Sequence, residues 1–235
     1  MKIEIWSDVM CPFCYIGKRR LEHALEQLPF NKDIEVEWKS YQLDPTIKNE
    51  PGKNIHQYLA ERKGISLSQA REMNDYVTNM AAEVGLQYHF DKAVVANSFD
   101  AHRFAHLAAA HGKGDAAEER LFKAYFTEGK NIADIDTLVQ LGTEIGLDAA
   151  ELKQSLQSNA QAAAVNHDIE EAQVLGVRGV PFFVLDRKYA VSGAQSVEVF
   201  KQALDKAYTE WKAERDKNPL TIVEGQTCSP DGDCK

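Results

Sequence analysis

Residues 2–17 read Lys2-Ile3-Glu4-Ile5-Trp6-Ser7-Asp8-Val9-Met10-Cys11-Pro12-Phe13-Cys14-Tyr15-Ile16-Gly17. Ile3 and Ile5 alternate with Lys2 and Glu4 and are followed by Trp6, a period of two that predicts a strand over 2–7. A short loop, Asp8 to Met10, then leads into a Cys-x-x-Cys pair. From Tyr15 to Leu28 the period lengthens. Ile16, Leu21, Ala24, Leu25 and Leu28 fall on one broad face, which predicts a helix. Pro12 suits the first turn of that helix, where a missing N–H costs nothing, and Pro29 ends it. Ile34 to Leu43 alternates again through Val36 and Trp38 as a second strand. The opening is therefore a βαβ unit with Cys11 and Cys14 at the strand-to-helix junction.

Working outward, Asp44 to Lys53 reads as a polar connection, and no strand is predicted from Asn54 to about Gly176. Helices are expected over 66–84, 98–111, 115–127, 134–145, 148–157 and 160–175, several opening on Asp or Ser and closing on glycine. Strand texture returns at 180–185 and 189–191, with a turn at Asp186-Arg187, and a last helix is expected over 196–214. Two strands are marginal alone, so the strands of both ends are expected to share one sheet with the helical stretch inserted between them. The expected division is 1–48 and 161–215 as two halves of one α/β unit, 49–160 as an inserted all-helical domain, and 216–235 as a tail.

The chain has 235 residues, with 27 Lys and Arg against 36 Asp and Glu, a formal net charge of −9. Such a surface repels phosphate backbones, so nucleic acid is not an expected partner. Hydrophobic residues at 44% and charged residues at 27% exclude wholesale disorder. No apolar run approaches the ~18 residues of a membrane span. Glu4 and Asp8 fall where a signal peptide would be apolar, so the expected location is cytoplasmic. Four cysteines are too few for a disulfide scaffold.

A cysteine at a helix N-terminus faces unpaired N–H groups and the positive end of the helix dipole. That setting lowers a thiol pKa from ~8.5 toward ~3.5–7.5. Cys11 is therefore the expected nucleophile and Cys14, a turn later, the buried resolving thiol. Lys18 and Arg19 would add positive potential. A zinc site is the competing reading, but it needs two more ligands, which Cys228 and Cys234 could supply only if the tail folds back onto the helix. His102 and His106 stand at i, i+4 with no third ligand suggested, so no metal is expected.

The stretch Ser7 to Gly17, paired with Gly176-Val177-Arg178-Gly179-Val180-Pro181-Phe182-Phe183-Val184, resembles the DsbA-like thioredoxin superfamily and within it the FrnE-type branch. The resemblance spans roughly residues 1–215. It implies a thioredoxin fold with a helical insertion, a thiol–disulfide oxidoreductase acting on protein or small-molecule disulfides, and a cis Pro181. It also implies that Val180 pairs with an extended substrate segment beside Cys11. Pro12 and Phe13 form the variable dipeptide of the motif, and Phe13 and Phe182 would offer apolar surface. No cofactor is required, and glutathione is a candidate thiol partner. The acid found in thioredoxins six residues before the nucleophile is replaced by Ile5, while Asp8 lies nearer.

The same superfamily includes glutathione-dependent isomerases of the hydroxychromene-carboxylate type, which place serine at the nucleophile position. This chain has Cys11 there and Cys14 as well, which favours dithiol chemistry. Asn97-Ser98-Phe99-Asp100-Ala101-His102-Arg103 resembles a segment of those relatives that faces the active site, so Asn97 and His102 are expected in substrate binding. The competing reading is a helix N-terminus with a solvated His-Arg pair. A third function class is a redox-regulated binding module or holdase. Cys228 and Cys234, around a Pro-Asp-Gly turn, form a candidate auxiliary redox pair that would exchange with Cys11 and Cys14.

Overall fold

The computed structural model describes residues 1–217. Four strands form one sheet in the order β2-β1-β5-β6: β1 (Lys2–Ser7), β2 (Glu35–Ser40), β5 (Phe182–Leu185) and β6 (Tyr189–Ser192). β1 runs parallel to β2, with Ile3 opposite Val36 and Ile5 opposite Trp38. β5 runs antiparallel to β1, with Ile5 opposite Phe183, and β6 closes a hairpin with β5. Period two now has its cause. Ile3, Ile5, Phe183 and Leu185 face helices α1 (Pro12–Glu26) and α9 (Val197–Lys217) in one core with Leu21, Phe200 and Leu204. Trp6 and Val184 face the other way, against Ala172 of α8 (Ala162–Val174).

Between β2 and α8 lie α2 (Ile55–Lys63), α3 (Leu67–Ala82), α4 (Phe99–Ala110), α5 (Gly114–Phe122), α6 (Ile135–Glu144) and α7 (Ala149–Gln157). Their core includes Phe104, Leu121, Phe122, Phe126 and Leu152 and continues into Val9, Cys11, Cys14, Tyr15 and Ile16. The inserted helices therefore pack directly on the start of α1. A π-helical turn, Lys123–Thr127, follows α5 and buries Tyr125 and Phe126. Such turns aim side chains that a regular helix would turn away.

Several expectations need correction. The insertion is not all-helical. β3 (Glu50–Asn54) and β4 (Val94–Val95) pair antiparallel within it, β3 in the stretch read as a polar connection. Two residues are too few to show alternation, and Pro51 and Gly52 give β3 the texture of a turn. Helix α2 is an addition to the expected set, although Asn54 caps it and Gly64 follows it at φ 65°. Helix α1 begins at Pro12, in the first-turn place expected for that proline, with Cys11 as its N-cap, and ends at Glu26, two residues before the expected Leu28. Pro181 precedes β5, which starts at Phe182. β1 has its expected span, α5 ends at Phe122 with the π-helical turn covering the last five residues of the expected helix, and the other helices and strands differ by up to three residues at their ends.

Candidate active site

Cys11 sits in extended backbone (φ −87°, ψ 111°) as the N-cap of α1, and Pro12 follows as the first helical residue. The Cys11 N–H donates to Asp8 O at 2.9 Å, and the Cys14 N–H donates to Cys11 O at 3.0 Å. The loop is thus tied back on itself before the helix begins. The Cys11 thiol donates to the carbonyl of Val180 at 3.4 Å. The Val180-Pro181 peptide bond is cis. Cys11, Cys14, Pro12, Phe13, Val180 and Pro181 therefore gather at one seam, between the start of α1 and the entrance to β5. Cys11 is 3% exposed and Cys14 1%, whereas Phe13 at 37% stands open at the surface. Both thiols are free.

Aromatic rings hold this end of α1. Tyr15 stacks on Phe122 with centroids 5.0 Å apart, and Tyr88 stacks on Phe126 at 4.6 Å. The Tyr88 hydroxyl donates to Pro12 O at 2.7 Å, and that of Tyr15 donates to Glu119 at 2.6 Å. Lys18 and Arg19 do not add free positive potential at Cys11. Lys18 is buried against Glu22, Asp115 and Glu119, and Arg19 pairs with Glu22 and Glu119. Their charge is matched within the α1–α5 contact.

Burial pushes the Cys14 thiol well above its ordinary range, and neighbouring Cys11 adds to the rise, while the Ser7 hydroxyl and the Asp8 N–H oppose it. Cys14 therefore keeps its proton in the free protein. Asp8 is buried, accepting from the N–H groups of Met10 (3.2 Å) and Leu43 (2.8 Å). Its Oδ1 lies 3.6 Å from Nε2 of His102. Burial disfavours a charged His102, yet Asp8 and Glu118 together hold its pKa above the ordinary imidazole value. Burial also raises Glu118 to about 7, against His102.

Asn97 does not join the cysteines. Its side chain accepts from the Phe99 N–H at 2.9 Å and from Gln42 at 3.0 Å, and donates to Ile47 O at 3.1 Å, fastening the 42–47 loop to the start of α4. His102 lies behind the site rather than at its mouth, and Arg103 is buried, so neither forms a solvated pair. Ser40 and Asp168 both meet the same nitrogen of His106, Nε2, at 3.1 and 2.9 Å, which precludes a serine–histidine–aspartate relay. Among the described residues no group of His, Cys, Asp or Glu could hold a metal ion. Cys228 and Cys234 lie outside the described residues. Sequence reasoning missed Tyr88, Ser7 and Glu118. Only Glu118 carried a signal, an acid at i, i+3, i+4 with Leu121 and Phe122 on a buried helix face.

A model of the DSBA-like thioredoxin domain matches residues 2–205. An uncharacterized Bacillus subtilis (strain 168) protein, YwbO, is 32% identical over 213 residues, covering 86% of this chain and 94% of that protein. The crystal structure of a probable DsbA oxidoreductase from Streptomyces coelicolor is 39% identical, covers 100% of this chain and 98% of its own, and superposes with a TM-score of 0.87. The cytosolic disulfide reductase DsbM from Pseudomonas aeruginosa, also solved with glutathione, shares the fold at 18% identity. Its TM-score is 0.62, with 92% of this chain and 100% of that one covered.

Proposed function

The chain belongs to the DSBA-like thioredoxin family, and from that premise we propose that it exchanges thiols and disulfides through Cys11 and Cys14. The observation that carries the reading is the seat of Cys11. Its sulfur is at the N-cap of α1, where first-turn N–H groups favour an anion, and 3.4 Å from the carbonyl of Val180. In the proposed reaction the Cys11 sulfur attacks a substrate disulfide and releases one substrate thiolate. Cys14 then attacks the Cys11 sulfur of the mixed disulfide, forming Cys11–Cys14 and expelling the second thiolate. A dithiol substrate and an oxidised pair run the same steps backwards. Val180 offers its backbone to an extended substrate segment, and Phe13 offers an apolar contact beside the attacked sulfur. No metal or nucleotide enters these steps, and glutathione is a candidate thiol partner. The Ser7 to Gly17 motif supports the FrnE-type branch.

The test is dithiol-dependent reduction of insulin, together with refolding of a scrambled disulfide protein. Cys11→Ser should abolish both, and Cys14→Ser should trap the Cys11 mixed disulfide. Iodoacetamide should modify Cys11 well before Cys14. Full activity in Cys11→Ser refutes the reading. A glutathione-dependent isomerisation that survives Cys14→Ser would instead favour the isomerase type.

A further inference from the structure

Resolution requires Cys14 to lose a proton, and Cys14 is 1% exposed even before a substrate docks at Cys11. Next to Cys14 lies a series of buried polar groups. The Ser7 hydroxyl is beside the Cys14 sulfur. Asp8 follows in sequence, its Oδ1 3.6 Å from His102 Nε2 on α4. That nitrogen has Asp8 as its ion-pair partner and no contact within hydrogen-bond distance among the described residues, although His102 is 2% exposed. Glu118 on α5 is 3% exposed, and its Oε2 is unpaired as well. Glu118 also lines a cleft of about 460 Å³ between β2 and helices α4 and α5. The lining includes neither cysteine, nor Val180, nor Pro181.

We propose that Asp8, His102 and Glu118 form a proton store for Cys14, with Glu118 as its outlet to the cleft between β2 and α5. The proposal rests on the disulfide-exchange reading above. In resolution the Cys14 S–H bond breaks and its proton passes to this set. The Cys14 electron pair forms the Cys11–Cys14 bond. The Cys11–substrate bond breaks, its electron pair leaving on the substrate sulfur. Glu118 then gives the proton to water in the cleft. In the reverse direction the set returns a proton to Cys14. These groups act through proton supply and not by touching substrate.

The charges around the set are consistent with that role. Burial, Asp115 and Asp8 raise Glu118 to about 7, while His102 and Lys18 of α1 oppose them. His102 is faced by Asp8 and Glu118 and by the Tyr41 carbonyl. The phenols of Tyr58 and Tyr125 also face Asp8 and stay protonated. Glu118 therefore exchanges a proton near neutrality, where the reaction needs it.

Stopped-flow measurement of the resolution step against pH tests this, using protein loaded at Cys11 with a small aromatic disulfide. Wild type should show an inflection near pH 7, and Glu118→Gln should lose it, with the rate at pH 7 down roughly 10- to 100-fold, at or below the low end for a placed general base. Superposable profiles overturn the proposal. A second measurement needs no variant. The imidazole titration of His102, followed by NMR in wild type, should differ between the disulfide and dithiol forms, because proton coupling is reciprocal. Identical titrations overturn it too. If insulin reduction requires Cys11 while both of these fail, the proton store falls and disulfide exchange stands. If wild type reduces nothing, the underlying reading falls first.

Discussion

Gly17 shows how closely the two ends of the chain meet at the site. A Cβ there would stand 3.0 Å from Cγ of Pro181 and 3.1 Å from Cζ of Phe183. Neither neighbour can yield easily. Pro181 is a ring, and Phe183 is fully buried edge-on against Phe200 with centroids 4.8 Å apart. Helix propensity alone would reward alanine by roughly 1 kcal/mol, whereas overpacking costs about 1–3 kcal/mol. Overpacking should win. Gly17→Ala is expected to lower unfolding free energy by about 1 kcal/mol and to slow exchange by displacing Val180 from Cys11. Urea titration and insulin reduction check it, and a variant as stable and as active as wild type sinks the argument. Nothing local in the sequence announces this constraint, since its cause is Pro181 at the other end of the chain. The cysteine pair was legible for the opposite reason: strand, loop, cysteine, proline and helix are all adjacent in sequence. His102 and Arg103 divide the same way. Their residue types suggested polarity, but burial and partners come from elements far along the chain.

The elements of the insertion are locked by side chains that cap one another. Arg103 of α4 reaches the end of α7, donating to Ser155 O at 2.6 Å, Leu156 O at 3.1 Å and Ala160 O at 2.9 Å. It donates to Ser158 O as well and is paired with Asp100 at 2.7 Å. The last carbonyls of α7 thus find in one guanidinium the donors that a helix end lacks. Lysine carries the charge but not the planar fork. Arg103→Lys should therefore leave buried carbonyls unpaired and cost about 2–3 kcal/mol, read as a lower urea midpoint with an unchanged slope. A shift within roughly 0.5 kcal/mol, as for an ordinary surface substitution, would contradict it. Element existence was legible where caps and long periodicity agree, as at Asp134 and Asp148, whose side chains accept from the N–H groups of Thr137 and Glu151. It was not legible at β4, where two residues owe their strand state to pairing with β3, nor at α2, whose amphipathic pattern is weak.

Across the whole molecule, the titrating groups place maximum stability on the acid side of neutrality. Asp168 and Glu119 are held below the ordinary carboxylate range. Burial opposes this, and His106, the Ser40 N–H and Lys39 overcome it at Asp168, as Arg19, Tyr15 and Lys18 do at Glu119. Their contribution is complete above the unfolded carboxylate pKa of about 4 and is lost as pH falls through their lower folded values. Glu118 and His102 act at the other end. Between 4.5 and about 7 folded Glu118 keeps a proton that the unfolded chain releases, so stability falls as pH rises through that window. The raised pKa of His102 gives a contribution that is complete below about 6.5 and lost as pH rises through its folded value. A net charge of −9 adds self-repulsion in the same direction. A tenfold change in proton affinity on folding is worth about 1.4 kcal/mol, so Glu118 alone accounts for on the order of 3 kcal/mol. The melting temperature should therefore peak near pH 5 and decline toward pH 8. Glu118→Gln should flatten the decline between pH 5 and 7 and keep the loss below about pH 4 that the paired carboxylates cause. A wild-type melting temperature constant from pH 5 to 8 would remove the charged core from this account, and a Glu118→Gln profile parallel to wild type would move the slope to other groups.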